Sequence, residues 1–209
     1  MKRRHFIVGL ALAATAVTSF AQSTAIVVVK VINFSCPVCR ASESQDAPVI
    51  VAADQTGGQF VYAPIPAEAG EFAKEKVYYA IRKQGRAAEK RVRESLYRGA
   101  QDMNMPFLDV IQVIEWLKDD IPDLEIDWLT LTADAQGPDA KAALRRAALL
   151  TKAAGAQVLP SYIVVQNNAP VATLDINTSG KGSSLVSLRD EVIKRVGELS
   201  GATKTKETP

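Results

Sequence analysis

The sequence of 209 residues predicts an α/β fold, in which helices cover one sheet and a block of helices is inserted after the second strand. Three observations predict this fold. An almost continuous β-branched run over residues 26–34 is typical of a strand covered on both faces. Apolar residues at helical spacing recur over much of residues 72–154. A hairpin pattern followed by one amphipathic helix comes near the end of the chain.

The chain begins with a segment that has the pattern of an export signal. Residues 2–4 are basic, and residues 6–17 form an apolar run that is short for a membrane span. Small residues at its end predict cleavage after Ala21, which gives a signal peptide over residues 1–21. The Arg3-Arg4 pair also resembles a twin-arginine signal, so both export routes stay open, as does an uncleaved anchor. In each case we expect the rest of the chain to lie outside the cytoplasm.

Removal of this segment leaves a chain with little net charge. The whole sequence has 25 basic and 23 acidic side chains, and residues 1–21 contain three of the basic ones and the only histidine, His5. The remainder has 22 basic against 23 acidic side chains, a net charge of −1. Since it also lacks a basic stripe, we expect no nucleic-acid partner. Its length suits one domain with a sizeable core.

The N-terminal half of the predicted sheet consists of two strands. The strand over 26–34 is followed by the two cysteines and by a helix over residues 38–46. Pro48 either kinks this helix or restarts it with the proline in its first turn. Residues 57–58 are both glycine and predict a turn, and residues 59–65 form the second strand.

The rest of the chain supplies helices first and a hairpin last. The predicted helices run to a stop at Gly85, over 86–98, from Pro106 or Phe107 onward, and over 139–154. Two antiparallel strands at 161–165 and 169–174 are joined by a turn at Asn167-Asn168, and Ser183-Ser184 caps a last helix. Residues 201–209 are polar and are predicted to be a flexible tail.

Cys36 and Cys39 are the only cysteines of the chain and lie where a strand ends and a helix begins. Two thiols at this spacing can close into a disulfide and reopen, which is the chemistry of thiol–disulfide exchange. A helix N-terminus favours a thiolate through its free N–H groups and its dipole, and Pro37 suits the first helical position. Cys36 is therefore the predicted nucleophile, and Cys39, one turn further along, is the predicted resolving thiol.

Other uses of two cysteines fit the sequence less well. A static disulfide across so short a loop removes little entropy from the unfolded chain. Zinc requires four ligands, and after residue 21 the chain has no histidine and no further cysteine. Haem attachment requires a histidine after the second cysteine, where Arg40 stands. We therefore predict no metal and no other cofactor.

These features together resemble the DsbA family of periplasmic disulfide oxidoreductases, which have a thioredoxin fold with an inserted helical domain. The resemblance is carried by Cys36-Pro37-Val38-Cys39 after a buried strand, by the helical block, and by Val158-Leu159-Pro160 before the third strand. It implies a thioredoxin-like domain over residues 22–66 and 156–200. The inserted helical domain then covers residues 67–155.

The resemblance also implies roles for single residues. A cis bond between Leu159 and Pro160 would direct the Leu159 backbone toward a substrate that adds as a short strand. Val38 stands where such oxidases often carry histidine, and it offers neither a charge nor a hydrogen bond. We therefore expect a Cys36 pKa that is below the free value of about 8.5 but higher than in an enzyme with Pro-His between its cysteines, and a weaker oxidant.

A second departure from the family pattern is Lys30, which replaces the acidic residue expected six positions before the first cysteine. If it is buried, the Lys30 side chain either stabilises a thiolate by its charge or accepts the proton of the resolving thiol. The alternative is that its ammonium group reaches solvent at the strand edge.

The function implied is that of an exported, monomeric dithiol oxidase that acts on unfolded or reduced proteins in the periplasm. A membrane partner of the DsbB type would reoxidise it. Two alternatives stay open. One is a disulfide reductase or isomerase kept reduced by a membrane donor, and the other is a non-enzymatic chaperone or assembly module.

Overall fold

The centre of the fold is a mixed four-stranded sheet. The computed structural model describes residues 25–67, 72–178 and 184–204. The strands are β1 (Val27–Ile32), β2 (Gln59–Pro64), β3 (Ser161–Gln166) and β4 (Ala169–Asp175), in the spatial order β2-β1-β3-β4. β1 pairs in parallel with β2 and antiparallel with β3, which pairs antiparallel with β4. All four predicted strands are present, and β1 has both of its edges paired.

Helices precede, separate and follow these strands. They are α1 (Pro37–Ser42), α2 (Asp46–Gln55), α3 (Ala73–Ile81), α4 (Arg86–Tyr97), α5 (Val110–Asp120), α6 (Trp128–Gln136), α7 (Pro138–Ala153) and α8 (Leu185–Lys204). Helices α3 to α7 all lie between β2 and β3, as the predicted insertion requires. None of the described helices combines the length and the apolar character that crossing a membrane requires.

Both faces of the sheet are covered. On one face, α2 and α8 pack against alternate residues of β1 and β3, namely Val28, Tyr162 and Val164. On the other face, helices of the insertion form a larger core with Val29, Val31 and Ile163. A strand buried on both sides has no polar face, which accounts for the continuous apolar run that predicts β1.

The helix that follows the cysteines is interrupted in the way that Pro48 predicts. α1 ends at Ser42, residues Glu43–Gln45 form a 3-10 turn, and α2 restarts at Asp46. Pro48 then lies in the first turn of α2, where its missing N–H has no carbonyl partner to lose. The restart places the Asp46 side chain in the buried interior.

The predicted start of α5 is wrong. α5 begins at Val110 rather than at Pro106 or Phe107. Phe107 has a φ of 46°, which is outside the helical range. Asp109 is the N-cap, and its carboxylate accepts a hydrogen bond from the backbone N–H of Gln112 at 2.9 Å. The cap, rather than the proline, sets the start of this helix.

Helix α6 has no counterpart in the sequence prediction. Among its residues, Leu131 and Ala135 are buried, so its apolar pattern is a single i, i+4 pair. Its N-cap is Asp127, whose carboxylate accepts a hydrogen bond from the backbone N–H of Thr130 at 2.9 Å. A cap followed by so short an apolar period gives a weak helix signal.

The C-terminal elements follow the prediction except at the end. Asn167 and Asn168 have φ values of 53° and 60°, as a two-residue hairpin turn requires. Ser184 accepts a hydrogen bond from the backbone N–H of Ser187 at 3.1 Å and so caps α8. α8 continues to Lys204, so the first part of the predicted flexible tail is helical. The rest of that tail and the predicted signal peptide lie outside the described residues.

Candidate active site

The cysteine pair lies at the junction between β1 and α1. Cys36 is the N-cap of α1, and its Sγ accepts a hydrogen bond from the backbone N–H of Cys39 at 3.1 Å. Pro37 is in the first turn, where a missing N–H costs nothing. Cys36 is partly exposed, whereas Cys39 is completely buried, and both are free thiols. An incoming sulfur can therefore reach Cys36 directly, while the protein shields Cys39.

The two thiols have opposite ionisation preferences. The hydrogen bond from the Cys39 thiol lowers the pKa of Cys36 to about 6, against the raising effect of burial. Backbone N–H groups of Cys39 and Val38 and the charge of Lys30 add to this lowering. The pKa of Cys39 is raised, first by the same hydrogen bond and then by burial. At neutral pH, Cys36 is the thiolate and Cys39 the thiol.

Val38 contributes little beyond its backbone. Its side chain is 43% exposed and carries neither a charge nor a hydrogen-bonding group. The stabilisation of the Cys36 thiolate in this structure therefore comes from Cys39, from the backbone N–H groups and from Lys30.

Asn33 holds the turn that leads from β1 to Cys36. Its carbonyl oxygen accepts a hydrogen bond from the Cys36 N–H at 3.1 Å, and its Oδ1 accepts one from the Ser35 N–H at 2.7 Å. Its Nδ2 donates to the carbonyl oxygen of Ile65 at 2.7 Å. The sequence analysis does not identify this residue, although an asparagine at a strand end is a typical turn residue.

The loop before β3 lies beside Cys36. The Leu159–Pro160 bond is cis, as the resemblance implies. The Leu159 carbonyl oxygen is 3.9 Å from Cys36 Sγ, a long and weak contact for the thiol proton. Leu159 and Cys36 line an open cavity of about 430 Å³, which Asn33 and Ile65 also line. The structure thus brings the predicted Leu159 to the predicted nucleophile.

Lys30 is completely buried, so the alternative in which its ammonium group reaches solvent is wrong. Its Nζ donates hydrogen bonds to both carboxylate oxygens of Asp46, at 2.8 and 2.6 Å. The Tyr62 and Tyr162 hydroxyls donate to the same carboxylate at 2.8 and 2.7 Å. The strand register places these two tyrosines on either side of Lys30. We call these four residues the Lys30–Asp46 cluster.

Burial shapes the ionisation of this cluster. It lowers the pKa of Lys30, while the attraction of Asp46 opposes the lowering. Burial also raises the pKa values of Tyr62 and Tyr162, which keeps both hydroxyls protonated as donors. The ammonium group lies 5.6 and 5.5 Å from the centres of the two tyrosine rings, within the range of cation–π attraction. The cluster is thus a buried ion pair in which both oxygens of the Asp46 carboxylate accept hydrogen bonds.

Three members of this cluster are not predicted from the sequence. Asp46 follows α1 without any motif, and Tyr62 and Tyr162 stand within strands where aromatic residues are common. The one available signal is their position, since each tyrosine lies in a strand beside the buried charge. That signal can be read only once the strand register is known.

Comparison with known proteins relies on structure, because no protein-family model and no curated protein match the sequence. The crystal structure of Pseudomonas aeruginosa DsbA matches with a TM-score of 0.70 at 16% identity, over 88% of each chain. The protein has the fold of DsbA. NmDsbA1 from Neisseria meningitidis matches this chain with a TM-score of 0.61 at 13% identity, over 88% of each chain. Reduced DsbL matches with a TM-score of 0.60 at 17% identity, over 84% of this chain and 90% of that one.

These matches confirm the predicted thioredoxin fold with inserted helices, since they extend over most of the DsbA chains. At identities of 13–17% they establish the fold. The chemistry has to be argued from the residues of the site itself.

Proposed function

We propose that the protein is a thiol:disulfide oxidoreductase that oxidises thiol pairs in exported proteins. The observation that carries the proposal is the asymmetry between its two thiols. Cys36 is partly exposed at a helix N-terminus, where its Sγ accepts a hydrogen bond from the backbone N–H of Cys39, and the Cys39 thiol is buried. Disulfide exchange requires one accessible sulfur that is a good leaving group and one protected sulfur that resolves the intermediate.

The proposed reaction consists of two displacements at sulfur. A substrate thiolate attacks Cys36 Sγ of the oxidised enzyme, the bond to Cys39 breaks, and Cys39 leaves as a thiolate. The high pKa of Cys39 then favours uptake of a proton. A second substrate thiolate attacks the substrate sulfur of the mixed disulfide, and Cys36 leaves as a thiolate that the Cys39 N–H stabilises. The substrate loses two electrons and two protons; the enzyme gains both electrons and one proton, on Cys39, while the other proton goes to solvent and Cys36 stays a thiolate.

Lys30 supports the first displacement by its charge. Its ammonium group lowers the pKa of both thiols and so stabilises the Cys39 thiolate at the moment it leaves. Burial lowers the pKa of Lys30, but Nζ donates hydrogen bonds to both carboxylate oxygens of Asp46 and this direct ion pair opposes the lowering, so we infer that Lys30 stays protonated. A protonated Lys30 cannot accept a proton from Cys39, so the electrostatic role is favoured over that of a proton acceptor.

We propose that substrate binds along Leu159 and Pro160. The Leu159 carbonyl oxygen beside Cys36 can accept a hydrogen bond from an extended substrate backbone that adds to this edge of the site. The open cavity between Leu159 and Ile65 leaves room for such a segment. This arrangement would present the substrate sulfur to Cys36.

The direction of the reaction depends on the redox potential. The exposed, uncharged Val38 side chain favours a weaker oxidant and is the observation that supports the reductive alternative. A reduction potential near about −120 mV would indicate an oxidase, and one near about −270 mV a reductant. The equilibrium with glutathione measures it directly.

The proposal extends to location and partners. We propose that the chain is exported to the periplasm, acts there as a monomer, and is reoxidised by a membrane protein of the DsbB type. The signal-like residues 1–21 and the likeness to DsbA structures support this. Its substrates would be reduced or unfolded exported proteins.

Two assays test the proposal. Purified protein should accelerate oxidative refolding of a reduced substrate, and the insulin-reduction assay should detect a reductase. With insulin, whose disulfides are intact, the Cys36 thiolate of the variant Cys39→Ser should attack a substrate disulfide and displace one substrate thiolate, so a mixed disulfide should accumulate on a non-reducing gel, whereas Cys36→Ser should form none. If the protein is active in neither assay and no mixed disulfide is trapped, the proposal that it is an enzyme is overturned and the chaperone alternative is supported.

A further inference from the structure

The inserted helices reach the redox centre through the end of α4 and the turn that follows it. The Tyr97 ring packs edge-on against Phe34 with ring centres 5.3 Å apart. Four residues further on, Gln101 Nε2 donates hydrogen bonds to the carbonyl oxygens of Phe34 at 2.8 Å and Cys36 at 3.2 Å. One side chain of the insertion thus binds two backbone carbonyls of residues 34–36, the segment that leads from β1 to α1 and that we call the redox loop.

The orientation of the Gln101 amide follows from its partners. Both partners are carbonyl oxygens, which accept hydrogen bonds only, so the nitrogen and not the oxygen of the amide must face them. The two hydrogens of the NH₂ group allow one bond to each carbonyl. Phe34 is completely buried, where a carbonyl without a donor is unfavourable.

A π-helical turn over Arg98–Asp102 brings Gln101 to this position. The Met103 N–H donates to the Arg98 carbonyl oxygen at 3.1 Å, five residues back. Gly99 allows the turn to lie against Phe107, because a Cβ there would be 2.4 Å from the ring. Such turns occur often at functional sites.

The residue after Gln101 also contacts the redox helix. Asp102 accepts a hydrogen bond from Arg40 of α1 at 2.7 Å. Gln101 and Asp102 therefore hold the carbonyl of Cys36 and a side chain one turn further along the same helix. Both contacts come from the π-helical turn after α4, which several helices separate from the cysteines in the sequence.

We propose that Gln101 is a positioning residue for the Cys36 thiolate, which it stabilises through the carbonyl groups of Phe34 and Cys36. The inference rests on the proposed function. A carbonyl oxygen is the negative end of a dipole, and these two dipoles belong to the loop that carries the thiolate. The Gln101 N–H groups partly neutralise the negative ends of these two dipoles. Without them, the carbonyl oxygens repel the thiolate more strongly, and the pKa of Cys36 rises.

Three substitutions at one position test the proposal. Gln101→Leu removes the donors, Gln101→Glu replaces them with a negative charge, and Gln101→Lys keeps a donor and adds a positive charge. The ultraviolet absorbance of the thiolate, followed against pH, measures the pKa of Cys36 in each reduced protein. We expect the pKa to rise in the order Lys, wild type, Leu, Glu, because negative charge near the sulfur increases in that order.

For Gln101→Leu we expect an acid dissociation constant of Cys36 about threefold smaller, which lowers the thiolate fraction about twofold at a pH near the wild-type pKa and changes the glutathione equilibrium about threefold at a pH well above it. That change corresponds to about 14 mV for a two-electron couple. Its sign is fixed, since the reduced form loses stabilisation. At a glutathione ratio that leaves the wild type half oxidised, the variant should be more than half oxidised.

Gln84→Leu is the matched control. Gln84 Nε2 also donates to a backbone carbonyl oxygen, that of Asp127 at 3.3 Å, but within the insertion. We expect it to leave the pKa of Cys36 and the glutathione equilibrium unchanged. The wild-type titration distinguishes failure of the positioning role from failure of the proposed function, because a wild-type pKa near that of a free thiol overturns the proposed function itself.

Two results would overturn the positioning role of Gln101 while leaving the proposed function intact. An unchanged Cys36 pKa in Gln101→Leu, whatever its melting temperature, would make the residue merely structural. Shifts in the Glu and Lys variants with none in Leu would show a long-range charge effect without the hydrogen bonds. If Gln101→Glu does not fold, the Leu and Lys variants carry the test.

Discussion

The Lys30–Asp46 cluster predicts an unequal response to the loss of its two charged members. Lys30 makes its hydrogen bonds to Asp46 alone, whereas Asp46 accepts from Lys30 and from the Tyr62 and Tyr162 hydroxyls. Lys30→Met leaves a carboxylate that two hydroxyls still solvate. Asp46→Leu leaves a buried ammonium group without a carboxylate and two hydroxyls without an acceptor. The second change should therefore cost more stability than the first.

The magnitudes follow from burial, since Lys30 is 0% and Asp46 2% exposed. Removing one partner of a buried ion pair costs about 3–5 kcal/mol, and each unsatisfied buried hydroxyl adds about 1–3 kcal/mol. We expect a loss of about 3 kcal/mol for Lys30→Met and at least about 5 kcal/mol for Asp46→Leu. In the double variant neither charge is left unpaired, so its loss should be smaller than the sum by more than about 2 kcal/mol.

Urea unfolding of the oxidised proteins measures these losses without a contribution from thiol ionisation. The wild type, the two single variants and the double variant form one thermodynamic cycle. Equal losses in the two single variants, or a double variant equal to their sum, would refute the reasoning. A double variant equal to the sum would mean that Lys30 and Asp46 do not depend on each other, and equal single losses would mean that the Tyr62 and Tyr162 hydroxyls add nothing to the cost of losing Asp46. If Asp46→Leu does not fold, a loss below about 1 kcal/mol in Lys30→Met would refute it as well.

Three further predictions concern the thiolate and the insertion. The pKa of Cys36 is lowered to about 6, so ionisation of this thiol stabilises the reduced protein. The stabilisation is fully present at a pH above the unfolded pKa of about 8.5 and is lost as the pH falls through about 6. Urea unfolding at pH 8 and pH 5 should then differ by about 1–2 kcal/mol after discounting for solvent screening, and Cys36→Ser should abolish this difference. Val38→His should lower the pKa of Cys36 in a thiolate titration, and an unchanged value would show that the position does not face the sulfur. Gly99→Ala should cost about 1–3 kcal/mol in thermal unfolding because its Cβ would meet Phe107, whereas Gly197→Ala, with nothing within 4 Å, should stabilise α8 by about 1 kcal/mol.

The part of the site that the sequence predicts is the part that is local in the chain. Cys36, Pro37 and Cys39 form a motif whose chemistry depends on spacing and on one helix N-terminus. The strand before them is recognisable because burial on both faces leaves no polar position. The Leu159–Pro160 loop was identified through resemblance to a family.

The part that the sequence does not predict depends on contacts between distant elements. Asp46, Tyr62 and Tyr162 meet Lys30 because of strand register and a helix restart, and neither can be read from residue types. Gln101 reaches the redox loop only because a π-helical turn follows α4, beyond the end of the helix predicted over 86–98.

The position of β1 between β2 and β3 has a consequence for the order in which the chain can fold. A chain that emerges N-terminus first presents Lys30, Asp46 and Tyr62 before the insertion, and Tyr162 only after it. Until β3 docks, one edge of the central strand is open and the buried charge lacks one of its surrounding side chains. The segment that brings Tyr162 also brings Leu159 to Cys36. Completion of the core and completion of the candidate site therefore depend on the same late, long-range contact, so a partly synthesised chain holds its cysteines before the residues around them are assembled.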